Sequence, residues 1–185
     1  MATGMKTGLN PARKRGSGVD NQGVTEYDIA NTYGTDLGMG HLVKLNGGVL
    51  EEAAAGEDAV GVLNGVSYTK ADGTPTEALY WPASTNSATQ PKGRVCDDPN
   101  ATFLVRANDP LTIADGGAID VAVGDLFALD PLSVDAFTGR CEAEADVAGG
   151  IVLLAAAHIK VERIVDLENY VLEVSIANHV FRDNV

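Results

Sequence analysis

The chain is 185 residues long, 45% apolar but only 5% aromatic, with 21 glycines and a formal net charge of −13. That length suits one domain with a sizeable core, and so acidic a body repels a phosphate backbone, which excludes nucleic acid as an expected partner. No run approaches the ~18 apolar residues of a membrane span, so no membrane partner is expected, and two cysteines, Cys96 and Cys141, are too few for a disulfide framework and read as free, buried, small apolar residues.

Residues 1–23 carry Lys6, Arg13, Lys14 and Arg15 against a single acid, Asp20, and show no apolar periodicity. They read as a flexible or extended basic arm ahead of a β-rich domain at 24–185. The arm has no apolar core of the signal-peptide kind, so synthesis in the cytoplasm is expected. Val24–Ile29 alternates apolar and polar residues and reads as a strand, and 31–36 as a loop.

Gly40-His41-Leu42-Val43-Lys44-Leu45-Asn46 follows, and nearly half the chain later comes Gly124-Asp125-Leu126-Phe127-Ala128-Leu129-Asp130. Each copy is a turn-permitting Gly, a polar residue and an alternating run closed by Asn or Asp. Val60–Tyr68 reads as a strand with Val60, Val62, Val66 and Tyr68 on one face. Asp72-Gly73 is a hairpin turn returning through Thr76–Trp81 to Pro82. Residues 83–92 read as an exposed loop, Gly93–Cys96 and Thr102–Ala107 as strands about an Asp97-Asp98-Pro99 turn, and 108–118 as another loop. Gly149–His158 fits a buried strand or a short helix, and the strand is favoured. Tyr170–Ala177 alternates, with Val171, Glu173 and Ser175 on one face and Leu172, Val174 and Ile176 on the other.

Gly-rich apolar runs follow both twin strands, Val60–Leu63 in the first half and Gly150–Leu153 in the second. The expected fold is all-β, a small barrel or sandwich built from two related halves.

Chemistry is sparse. His41, His158 and His179 lack metal-ligand spacing, and no nucleophile elbow or phosphate loop occurs. Asp97-Asp98 and Glu142-x-Glu144 offer oxygen atoms to Ca²⁺, but the Asp-Asp-Pro step reads first as a turn. No metal or other cofactor and no catalytic residue are expected. Tyr80 and Trp81 read first as an ordinary core or interface anchor, with a glycan-stacking platform as the functional alternative.

One ordered stretch has a wider likeness. Tyr80-Trp81-Pro82-Ala83-Ser84-Thr85, then Val95-Cys96-Asp97-Asp98-Pro99-Asn100-Ala101-Thr102-Phe103-Leu104-Val105, resembles the head decoration (cement, capsid-stabilising) proteins of tailed bacteriophages. The opening Gly40-His41-Leu42-Val43, the Gly61-Val62 strand and the valine-rich closing strand near Asn178-His179 follow in the same order. The N-terminus departs from the family pattern, with only an echo at 8–13.

The resemblance implies a non-enzymatic virion protein, often a homotrimer, on the outer capsid surface, where it clamps neighbouring major capsid proteins. The arm cations Lys6, Arg13, Lys14 and Arg15 would then lie on the shell. The alternative is a carbohydrate- or host-surface-binding β-module using Tyr80, Trp81 and the 83–92 loop.

Overall fold

The computed structural model describes residues 8–14, 23–83, 87, 89–111 and 121–181. It is all-β apart from one 3₁₀ turn among these residues. The strands are β1 (Asn10–Lys14), β2 (Val24–Ile29), β3 (Leu37–Gly38), β4 (Leu42–Asn46), β5 (Val49–Glu52), β6 (Gly61–Thr69), β7 (Pro75–Ala78), β8 (Tyr80–Trp81) and β9 (Lys92–Cys96). They continue as β10 (Ala101–Arg106), β11 (Leu126–Phe127), β12 (Leu129–Asp130), β13 (Val134–Asp135), β14 (Arg140–Cys141), β15 (Glu144–Ala145), β16 (Ile159–Asp166) and β17 (Val171–Ile176).

The first half closes on itself. The sheet runs β4-β5-β2-β9-β6, and β6 pairs back onto β4, so these strands form a small barrel with β7 outside. One junction, β2 with β5, is parallel, at Asp28–Val49 and Ile29–Leu50. The second half repeats the pattern with β10 for β2, β17 for β9 and β16 for β6. The β11–β12 run stands for β4, and β15 for β5. Its parallel junction is a single bridge, Ala107–Ala145.

The hydrogen bonds coincide atom for atom. Gly40 N–H donates to Leu63 O (2.8 Å), Leu63 N–H to His41 O (2.9 Å) and Val60 N–H to Val43 O (2.8 Å). In the second half Gly124 donates to Val161 (2.8 Å), Val161 to Asp125 (2.8 Å) and His158 to Phe127 (3.0 Å). Both glycines sit at positive φ, +94° and +99°, which a side chain would strain. The twin strands therefore occupy equivalent places.

The run expected to match Val60–Leu63 in the second half is 150–153, and the structure places residues 158–161 there instead. The displacement has a cause. The tight Asn46-Gly47-Gly48 turn of the first half is replaced by the inserted β13–β14 hairpin, Val134 to Cys141. Residues 151–156 are then loop and one 3₁₀ turn, Leu154–Ala156, not the favoured buried strand.

A bulge at Leu63/Gly65 also changes faces. Leu63 and Val66 line the first barrel, while Val62 points the other way, so the single face expected for Val60 to Tyr68 is broken.

The first barrel encloses Ile29, Val43, Leu50, Leu63, Trp81 and Val95. Their chain neighbours Leu42, Val62 and Cys96 face outward yet are also buried, in the cluster that fills the second barrel around Phe103, Phe127, Val161 and Val174. Alternation thus splits three strands between two apolar surfaces, and the barrels share a packed joint. His158 belongs to that joint. Its Nδ1 accepts from Leu129 N–H at 2.8 Å, and burial lowers its pKa.

Strand β1 lies within the 1–23 arm. It pairs antiparallel with β10 (Asn10–Leu104, Arg13–Thr102), and Leu9 beside it is only 1% exposed within the shared core. Residues 8–14 are extended, as expected, but are a strand of the second barrel's sheet. Residues 1–7 and 15–22 of the arm lie outside the described ones.

Candidate interaction surface

The arm cations separate in the structure. Lys6 and Arg15 lie outside the described residues, and Lys14 contributes its backbone to β1, facing Ala101. Arg13 reaches across β10 to Glu173 on β17, Nε to Oε1 2.5 Å. Glu173 is 1% exposed and also accepts from Thr102 Oγ1 (2.8 Å) and from Arg163 (Nε 3.1 Å, Nη2 2.9 Å). Burial works to raise its pKa, but the bonds from Arg13, Thr102 and Arg163 outweigh it and hold the carboxylate below its ordinary range. Arg13 therefore fastens β1 to its own sheet, with 58% of its side chain still exposed.

Trp81 is fully buried. Its ring meets Tyr68 edge-on at 5.4 Å and its indole N–H donates to Tyr33 O at 3.2 Å. Its face is covered on the inside of the first barrel, so it cannot be a stacking platform for a sugar; it anchors the core. Tyr80 is half-buried against the β13–β14 hairpin, where a side chain at Gly139 would collide with its ring. It belongs to the contact between the halves.

All three histidines are buried. Burial lowers the His41 pKa to about 4, against partial opposition from the Ser133 backbone and the Asp36 charge. Burial likewise raises the Cys141 thiol to about 12, and both cysteines are free. Asp97-Asp98-Pro99 is the turn it was read as: Asp98 Oδ1 accepts from Asn100 N–H (2.8 Å), and Asp97 accepts from the Tyr27 hydroxyl (2.8 Å). No group of three metal-ligating side chains gathers among the described residues. A polar groove of about 320 Å³ lies beside Tyr68, lined by Thr76, Glu77, Gln90 and Lys92.

What the sequence reading missed is an apolar rim on the second half. Ile151, Leu153 and Leu154 are exposed by 60%, 82% and 48%. Exposed Val180 and Phe181 follow Asn178, whose amide donates to the Leu154 carbonyl at 3.2 Å. The duplication supplies its own control. Ala53 N–H donates to Leu42 O as Val152 N–H donates to Leu126 O, so Leu153 and Leu154 stand where Ala54 and Ala55 stand in the first half. The fold closes there with alanine, and the leucines are surplus to it. Comparing the two halves of the sequence in the correct register would have found them.

No protein-family model and no curated protein matches the chain. Among solved structures, a C-terminal fragment of the bacteriophage phi29 gene product 12 is similar to it at 15% identity and a TM-score of 0.35, over 83% of this chain and 98% of that fragment.

Proposed function

We propose that the chain is a non-enzymatic structural protein of a tailed-bacteriophage virion. It binds the outside of the capsid and bridges neighbouring major capsid proteins, as a homotrimer. The observation that carries this reading is the apolar rim Ile151, Leu153, Leu154, Val180 and Phe181, large side chains held in water, of which Leu153 and Leu154 stand where the first half closes with alanine. Burying such a side chain against a partner yields about 1.5–3 kcal/mol, and repetition over many lattice sites multiplies its effect. The order of motifs from Tyr80 to Val105 supports the same reading. A glycan-binding reading loses Trp81, its main aromatic platform.

The test is co-sedimentation with capsids lacking this protein. Wild type is expected to saturate the shells, and a Leu153→Asp/Leu154→Asp double variant to lose occupancy while keeping its circular dichroism and melting temperature. Equal occupancy by the two proteins would remove the rim from the proposal. Failure of the wild type to bind any shell would remove the capsid. Light scattering on the free protein tests the trimer.

A further inference from the structure

The duplication exposes a vacancy. In the second barrel the outer edge of β10 is covered: β1 lies antiparallel on it, with Asn10 opposite Leu104 and Arg13 opposite Thr102. The equivalent edge in the first barrel belongs to β2. The equivalence is fixed by matching bonds, Ile29 N–H to Pro91 O and Ala107 N–H to Tyr170 O, so Glu26 stands for Leu104 and Val24 for Thr102. Backbone groups alternate in direction along an antiparallel strand. Ile29 points toward β9, so Val24 and Glu26 present their N–H and C=O groups away from it. The parallel partner β5 reaches only Asp28 and Ile29, and among the described residues no strand pairs with Val24–Tyr27 on that side.

We propose that the outer edge of β2 at Val24–Tyr27 is a strand-addition site for an extended segment of a partner protein carrying a cation opposite Glu26. The molecule itself shows that this edge geometry takes an antiparallel strand, since β1 does so on the equivalent edge. Main-chain bonds supply the affinity of such a site and alternate side chains its selectivity. Charge selects the occupant. Glu26 is exposed on the edge, and Asp97 lies beside Gly23 where the added strand would end. A basic residue directly opposite Glu26 forms a favourable cross-strand pair.

A second copy's β1 is the wrong occupant. Its Arg13 is held by the buried Glu173 of the second barrel, and the first barrel places Arg94 at that position, so no carboxylate stands there to receive it. The inference does not depend on the virion reading, because it concerns only what this edge accepts.

The experiment follows amide hydrogen exchange by NMR on the whole protein. In the free protein the Val24 and Glu26 amides are expected to exchange rapidly, while Thr102 and Leu104, under β1, are protected. The probe is a short Thr/Val-rich peptide with one central lysine, added at millimolar concentration, beside the same peptide with glutamate in place of the lysine. The lysine peptide is expected to slow exchange at Val24 and Glu26 by about tenfold, and the glutamate peptide to leave it unchanged. Glu26→Pro deletes an outward N–H without touching a β9 bond and is expected to abolish the effect; Glu26→Gln keeps the backbone and is expected to erase the lysine preference. Protection of both amides before any peptide is added would overturn the proposal, since the edge would already be filled by the chain itself or by a second copy. Unchanged exchange with the lysine peptide would overturn it too.

Discussion

Replacing His41 by Asn isolates one buried imidazole as a source of acid sensitivity. The side chain is 0% exposed, and its Nδ1 accepts from Gly38 N–H at 3.3 Å. An Asn carbonyl can keep that acceptor but cannot titrate. The unfolded chain takes up this proton as pH falls through the ordinary histidine value of 6.5, while the folded protein refuses it down to about 4. Stability is therefore complete above pH 6.5 and declines through the interval below it. By pH 4 the loss approaches ~3 kcal/mol, the free-energy equivalent of that gap. The assay is urea unfolding of wild type and His41→Asn at pH 7, 5.5 and 4. Carboxylates titrate equally in both proteins, so their difference reports His41. The difference is expected to move by ~3 kcal/mol in favour of the variant between pH 7 and pH 4. Parallel pH curves would refute the reasoning.

Three further outcomes are expected. Glu173→Gln weakens the bonds that hold Arg13 and Arg163, so trypsin should cut more readily after Arg13, and the melting temperature should fall in step with a loss of about 1–3 kcal/mol; unchanged cleavage would show that Leu9 alone retains β1. Gly56→Ala places a methyl group on the Ala155 carbonyl at φ +80°, and should cost ~1–3 kcal/mol in chemical unfolding, with a null effect showing that the loops of the two halves do not meet. Cys96 and Cys141, buried with thiol pKa values raised by that burial, should react with a thiol reagent only after denaturation; rapid labelling of the native protein would contradict the packed joint.

The strands most legible in the sequence were those whose two faces differ. Tyr170–Ala177 announced Leu172, Val174 and Ile176 correctly, and the twin Gly-x-Leu strands disclosed the duplication. The failures share a physical form. Exposed Ile151, Leu153 and Leu154 imitate a buried strand because composition does not record which side of an interface the solvent occupies. The bulge at Gly65 reverses a face in mid-strand, which simple alternation cannot anticipate. Strand β1 offers a proline and two cations, with one buried leucine beside it, and is a strand only because β10 is there to receive it. Trp81 could be read as either platform or core until the barrel closed around it.

Strand β1 also bears on the order in which the molecule can be completed. Leu9 donates to the Gly40 carbonyl at 3.1 Å in the first barrel, while Asn10 to Lys14 lie on β10 of the second. Emerging from the ribosome before either barrel, this segment can reach its place only after both have been made. The first residues described in the chain are thus among the last to settle. They act as a latch across the seam, making the release of one barrel felt by the other, so the two repeats should come apart together under denaturant despite being separately closed.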